Sequence, residues 1–163
     1  MTHNDNPLLD FSGLPRFADI RPEHVAPALE RLLQEGEAAL AAAEDAAHPA
    51  EWLALQRTLD VPVERLSLAW GAVSHLNAVM DTPALRAAYN AALPQVTAFF
   101  TRLGASAALF AKYKAVDATT LNAAQQQSLR HTLRDFVLGG AELEGAARER
   151  FAAIQERGAA LGQ

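Results

Sequence analysis

Nine apolar residues, Trp52, Leu55, Leu59, Val63, Leu66, Trp70, Val73, Leu76 and Met80, recur at steps of three or four. That spacing follows the 3.6-residue period of an α-helix, whereas a strand would alternate with a period of two. The stripe predicts a helical region from about Pro49 to Met80. Pro62 lies inside it, and a proline ring clashes with the carbonyl four residues back. Because the stripe keeps phase beyond Pro62, a kink is expected there and not a turn.

Similar patterns fill the rest of the chain. A first helix is predicted to begin at Pro22, since proline is tolerated where a helix needs no N–H donor. It carries Val25, Leu29, Leu32, Leu33 and Leu40 and ends near Asp45, with His48-Pro49 marking a turn. Asp81 or Thr82 can cap a third helix with Pro83 at its first position. The third stripe is Leu85, Tyr89, Leu93, Val96, Phe100, Leu103, Ala107 and Phe110, with a bend expected at Pro94. Phe99 and Phe100 are adjacent, so both cannot point inward, and one is expected to face a partner surface. Asn122 can cap a fourth helix bearing Leu129, Leu133, Phe136 and Val137, which Gly139-Gly140 should stop. A fifth starts near Glu144–Ala146 and shows Phe151, Ile154 and Leu161.

Composition agrees. Ala occurs 36 times and Leu 23, against 18 for Val, Ile and Thr together. The first two favour helix and β-branched residues favour strand. The expected fold is all-α, a bundle of about five helices, several long and Pro-kinked. Residues 1–21, with Pro7, Gly13 and Pro15, read as an extended arm packed on the body through Leu8, Leu9, Phe11, Leu14, Phe17 and Ile20. Residues 22–163 form the helical domain. Leu161 stands two positions from the last residue, so the domain is expected to be cut inside its last helix, as a piece of a longer protein.

The net charge of −5 argues against a nucleic-acid partner, which would want a concentrated basic surface. No stretch is apolar enough for a membrane span, and the N-terminus lacks a signal-peptide pattern. Zero cysteines exclude disulfides, thiol nucleophiles and Cys-ligated zinc, and fit a cytoplasmic location.

The search for catalytic chemistry ends without a site. His3, His24, His48, His75 and His131 include no pair four residues apart, the spacing that puts two imidazoles on one helical face for zinc. There is no HExxH, GxSxG or phosphate-binding glycine loop. Ser74-His75-Leu76-Asn77 is the densest polar cluster, but helix neighbours point about 100° apart. His75 and Asn77 are expected to hydrogen-bond inside the bundle, tying helices together. Arg134-Asp135 is expected to form an inter-helix ion pair or a helix-end contact. Trp52, Trp70, Tyr89, Phe99, Phe100, Phe110 and Tyr113 are expected to fill the core. No catalytic, cofactor-binding or metal-ligating residue is assigned.

Three segments nevertheless carry a pattern. Residues 6–33 (NPLLDFSGLPRFADIRPEHVAPALERLL), residues 73–99 (VSHLNAVMDTPALRAAYNAALPQVTAF) and residues 121–161, with LRDF-x-L-x-G at Leu133–Gly140, resemble in order the oligopeptidase A / thimet oligopeptidase family of zinc metallopeptidases. The bacterial oligopeptidase A branch is the nearest in pattern. Gly139 departs from the family, which often has Ser there, and Gly158 sits unusually within the last helix.

The resemblance implies a mostly helical enzyme that cleaves short peptides in a deep channel. Its zinc is held by an HExxH helix and a downstream glutamate, both in the C-terminal part. This chain then corresponds to the non-catalytic N-terminal region, part of the substrate-channel wall. It is expected to hold no cofactor and to be inactive alone. Its expected partners are the C-terminal catalytic region and, in the full-length protein, short peptides. Uncovered apolar surface is expected to favour self-association. The alternative is a free-standing helical interaction module without enzymatic activity.

Overall fold

The computed structural model describes residues 6–162. Pro22 opens the first helix, α1 (Pro22–Glu44). Just ahead of it the Arg21 N–H donates to His24 Nδ1 at 3.0 Å. The long stripe forms a single helix, α2 (Trp52–Met80), which continues through Pro62. Asp81 then adopts a left-handed φ of 31° and closes α2, while Thr82 opens α3 (Pro83–Gly104). Thr82 Oγ1 accepts the Leu85 N–H at 3.3 Å. Of the two candidate caps, Thr82 therefore serves the third helix and Asp81 ends the second.

The third stripe does not run on to Phe110 as one rod. The chain turns at Ala105-Ser106, and a separate helix, α4 (Ala107–Ala115), follows. Ser106 makes the break. Its hydroxyl accepts the Leu109 N–H at 3.1 Å and donates to Glu44 Oε1 at 2.5 Å, at the end of α1. Asn122 caps α5 (Ala123–Leu138) reciprocally with Gln125, their side chains each taking the other's backbone N–H at 2.9 and 3.0 Å. Gly140, at φ 88°, turns the chain away, and α6 (Gly145–Leu161) follows. With α3 and α4 taken as one interrupted rod, the helices number the expected five. No strand occurs among the described residues.

α1 and α2 pack as an antiparallel pair, and two apolar clusters form along them. One joins the start of α1 (Val25, Leu29, Leu32) to the second half of α2 (Leu66, Val73, Leu76) and to Leu85, Val96 and Phe99 of α3. The other joins the end of α1 (Leu40, Ala43) to the start of α2 (Trp52, Leu55, Leu59) and to α4 and α5 through Leu109, Phe110, Tyr113, Leu129 and Phe136. Leu103 touches both. Phe99, not Phe100, is the fully buried member of its pair, at 2 % exposure. Phe100 is half-buried and rests edge-on against it, with ring centroids 5.3 Å apart.

Ahead of α1 the chain makes two short 3-10 turns, Pro7–Leu9 and Phe17–Asp19. Leu8 is buried, and Leu9, Phe11 and Ile20 pack on the first cluster. Asn6 Nδ2 donates to the His24 carbonyl at 2.9 Å, holding this segment on the start of α1. Leu14 and Phe17 do not insert as expected, being 91 % and 41 % exposed. Pro15 and Gly13 lie in this exposed stretch, and the Phe17 ring stands edge-on to His75, with ring centroids 5.4 Å apart.

Candidate functional site

The polar residues singled out above do not converge. His75 is exposed and has Phe17 as its ring neighbour, so it ties no helices together. Asn77 faces inward, but its Oδ1 is buried without a hydrogen-bond partner. The expected bonding of this pair inside the bundle is therefore corrected: two positions, about 200° of rotation on α2, send His75 to solvent and turn Asn77 partly inward. Arg134 and Asp135 pair with each other at 2.7 Å on the exposed face of α5, both side chains about 60 % open to solvent. That pair links no two helices and contributes about 0–1 kcal/mol.

The other histidines have local partners. His24 serves the start of α1. His48 lies between the Pro49 carbonyl at 3.1 Å and Thr58 Oγ1 at 2.9 Å, fastening the α1–α2 loop to α2. His131 contacts Gln127 on α5. His3 lies outside the described residues. Among the described residues no three His, Cys, Asp or Glu side chains come close enough together to hold a metal ion. The described residues therefore assemble no cluster that fits a zinc ion.

One ionisable pair was not visible in sequence. Tyr113 is buried against Trp52, with ring centroids 6.1 Å apart. Burial, reinforced by the nearby Asp60 carboxylate, pushes its phenol up to about 12. Asp60 is itself raised, by desolvation first and by Glu64 one turn away second. These groups sit at the seam of α2 and α4, 53 positions apart in the chain, so no local motif announces them.

The surface also carries exposed apolar side chains. Val79 and Met80 at the end of α2 are 61 % and 62 % exposed, as are Leu138 of α5 at 69 % and Ile154 of α6 at 59 %. α6 has no fully buried residue. It is seated along one face only, where Arg148 donates to the Ala105 carbonyl at 3.3 Å and Phe151 lies beside Gly140. A groove of about 230 Å³ separates it from α3, lined by Ala98, Thr101, Arg102 and Ala152 among others. No helix among the described residues is long and apolar enough to cross a membrane.

The described residues form an all-α pair of packed clusters with a last helix seated along one face. Residues 29–148 match the profile of the neurolysin/thimet oligopeptidase N-terminal domain. The chain belongs to that family. Over 159 residues it is 37 % identical to a probable cytosolic oligopeptidase A of Arabidopsis thaliana and 36 % identical to an organellar, chloroplastic/mitochondrial oligopeptidase A of the same plant. Over 161 residues it is 34 % identical to oligopeptidase A of Escherichia coli. These alignments cover 95–96 % of this chain but only 20–24 % of the relatives. The chain thus spans about a fifth to a quarter of the length of the curated relatives it matches. As a thimet-type N-terminal domain it has the expected all-α architecture.

Proposed function

We propose that this domain is the non-catalytic wall of a longer zinc-dependent oligopeptidase, acting in the cytoplasm on short peptides. The supporting observations are the match of residues 29–148 to the N-terminal domain of the family and the alignment of nearly the whole chain to a small part of much longer oligopeptidases. In this reading the metal and its ligands belong to the remainder of the enzyme, where the resemblance places the HExxH helix; the described residues here gather no cluster for them. The contribution of this domain is rigid surface. Long helices packed in two clusters hold their shape, which is what a channel needs in order to admit an extended peptide and refuse a folded protein. The exposed side chains Val79, Met80 and Leu138 are then surfaces covered by the rest of the enzyme, and they support weak self-association when the domain stands alone.

The test is direct. The purified chain is assayed with a fluorogenic oligopeptide and analysed for zinc, then assayed again with the remainder of a relative enzyme supplied in trans. Expected are no turnover and no stoichiometric zinc for the chain alone, and a change in peptide cleavage on addition of the second part. Turnover by the zinc-loaded chain alone would overturn the assignment.

A further inference from the structure

Both ends of the segment that precedes α1 fasten on one residue. At the near end the Arg21 N–H donates to His24 Nδ1 at 3.0 Å. At the far end Asn6 Nδ2 donates to the His24 carbonyl at 2.9 Å. Asn6 Oδ1 also accepts the Leu8 N–H at 3.0 Å, so the same amide shapes the first 3-10 turn. Residues 6–21 therefore make a loop that closes on the first turn of α1. Leu8 is buried beneath it, and Phe11 and Ile20 pack on the first cluster. The loop crosses α2 at Ala69 and Ala72, both buried, which line a small cavity together with Pro7, Phe11 and Ile20.

The near fastening fixes the state of the imidazole. A backbone N–H can only donate, so Nδ1 presents its lone pair and the ring proton sits on Nε2. This is the third position of the helix, where a capping box ordinarily has Glu or Gln. A glutamine oxygen accepts at any pH, but a histidine serves only while neutral. Protonated, it carries N–H on both nitrogens and cannot accept the Arg21 N–H. Other charged groups belong to this end of the molecule. Glu23 is exposed in the same turn, and Arg21 itself is exposed. In the preceding segment Arg16 pairs with Asp10 and Asp19. His75 of α2 meets Phe17, and Asp81 pairs with Arg86 of α3. Among the described residues none of these forms an ion pair with His24, so a second ring proton finds no carboxylate to receive it.

We propose that His24 is a pH-operated clasp: neutral, it holds residues 6–21 closed on α1; protonated, it drops Arg21 and loosens that segment from the flank of α2 at Ala69 and Ala72. Histidine is the side chain suited to such a device, because it ordinarily changes charge between about pH 5 and 8. The clasp belongs to this chain alone, and its working does not depend on any peptidase activity.

The experiment follows amide hydrogen exchange by NMR at about pH 7 and about pH 5, as protection relative to the intrinsic rate at each pH. In the unaltered chain the protection of Leu8, Leu9 and Arg21 is expected to fall about tenfold at the lower value, the size of a lost capping interaction. Amides in the middle of α2 should keep theirs. His24→Gln leaves an acceptor in place without a titrating group, and should hold the segment closed at both values. Asn6→Ala should loosen it about equally at both, and His75→Gln should leave the acid response unchanged. Ring nitrogen shifts of His24 at the higher value should report the proton on Nε2. An unaltered chain with no acid response, a His24→Gln variant with the same response, or a His75→Gln variant that has lost it would overturn the proposal. So would a His24 ring proton found on Nδ1.

Discussion

The Phe99 ring lies directly on the backbone of Gly36: a Cβ placed at Gly36 would come 2.8 Å from Phe99 Cζ and 3.2 Å from Cε2. Gly36 sits in the middle of α1, where glycine ordinarily weakens a helix, and its absent side chain is the space that α3's most deeply buried aromatic occupies. Gly71 on α2 meets nothing within 4 Å.

The two glycines should therefore respond oppositely to alanine. Gly71→Ala is expected to stabilise by about 0.5–1 kcal/mol, the helix-propensity gain. Gly36→Ala is expected to destabilise by about 1–3 kcal/mol, because overpacking against a fully buried ring outweighs that gain. Urea midpoints of the two variants decide it, and stabilisation by Gly36→Ala would show that the ring has room to yield.

A second close approach lies between helix ends. A Cβ at Gly139 would come 2.6 Å from the Gly104 carbonyl oxygen, backbone against which no rotamer change helps. Gly139 itself has an ordinary helical φ of −75°, so space and not conformation demands the glycine. Gly139→Ser is expected to cost about 1–3 kcal/mol in this chain. Thermal unfolding of the variant measures the cost.

Ser106 should be an especially sensitive polar residue of the domain. It is buried, caps α4, and binds Glu44 across 62 positions. Ser106→Ala is expected to lose about 1–2 kcal/mol. Hydrogen exchange should show the loss first in the amides of Leu109 and Phe110, the groups that the N-terminal turn of α4 protects.

Tyr113 and Asp60 make stability depend on pH in a defined direction. The Tyr113 phenol is pushed up to about 12. A raised value in the folded state means its contribution is intact below the unfolded value of about 10 and is lost as pH climbs through 12. Tyr113→Phe should flatten the alkaline limb of the unfolding curve in that window.

Asp60, also raised, is a liability while charged. Partial desolvation first, and Glu64 second, oppose its ionisation. Its contribution is favourable below the ordinary carboxylate range and is lost as pH rises through its folded value. Asp60→Asn is expected to raise the melting temperature at pH 7, by less than about 0.5 kcal/mol in stability, since the group is mostly exposed. That advantage should vanish at acid pH, and a variant less stable at pH 7 would contradict it.

The helices themselves were legible in the sequence, and for local reasons. Apolar residues at steps of three and four, Pro22 and Pro83 at first positions, Thr82 and Asn122 as caps and Gly140 as a stop all act within a few residues of chain, so the pattern alone determined where α1, α2, α5 and α6 lie. The family resemblance was legible in the same way, from three segments in order. Other features depended on partners remote in sequence. The break at Ser106 needs Glu44, the burial of Phe99 instead of Phe100 needs Gly36, and the exposure of Leu14 and Phe17 follows from the path that the segment takes over α2. A helical period says which residues share a face, but two adjacent aromatics differ by only 100° of rotation. Which of them turns inward is decided by the shape of the helix it meets, and that shape exists only once the chain has folded.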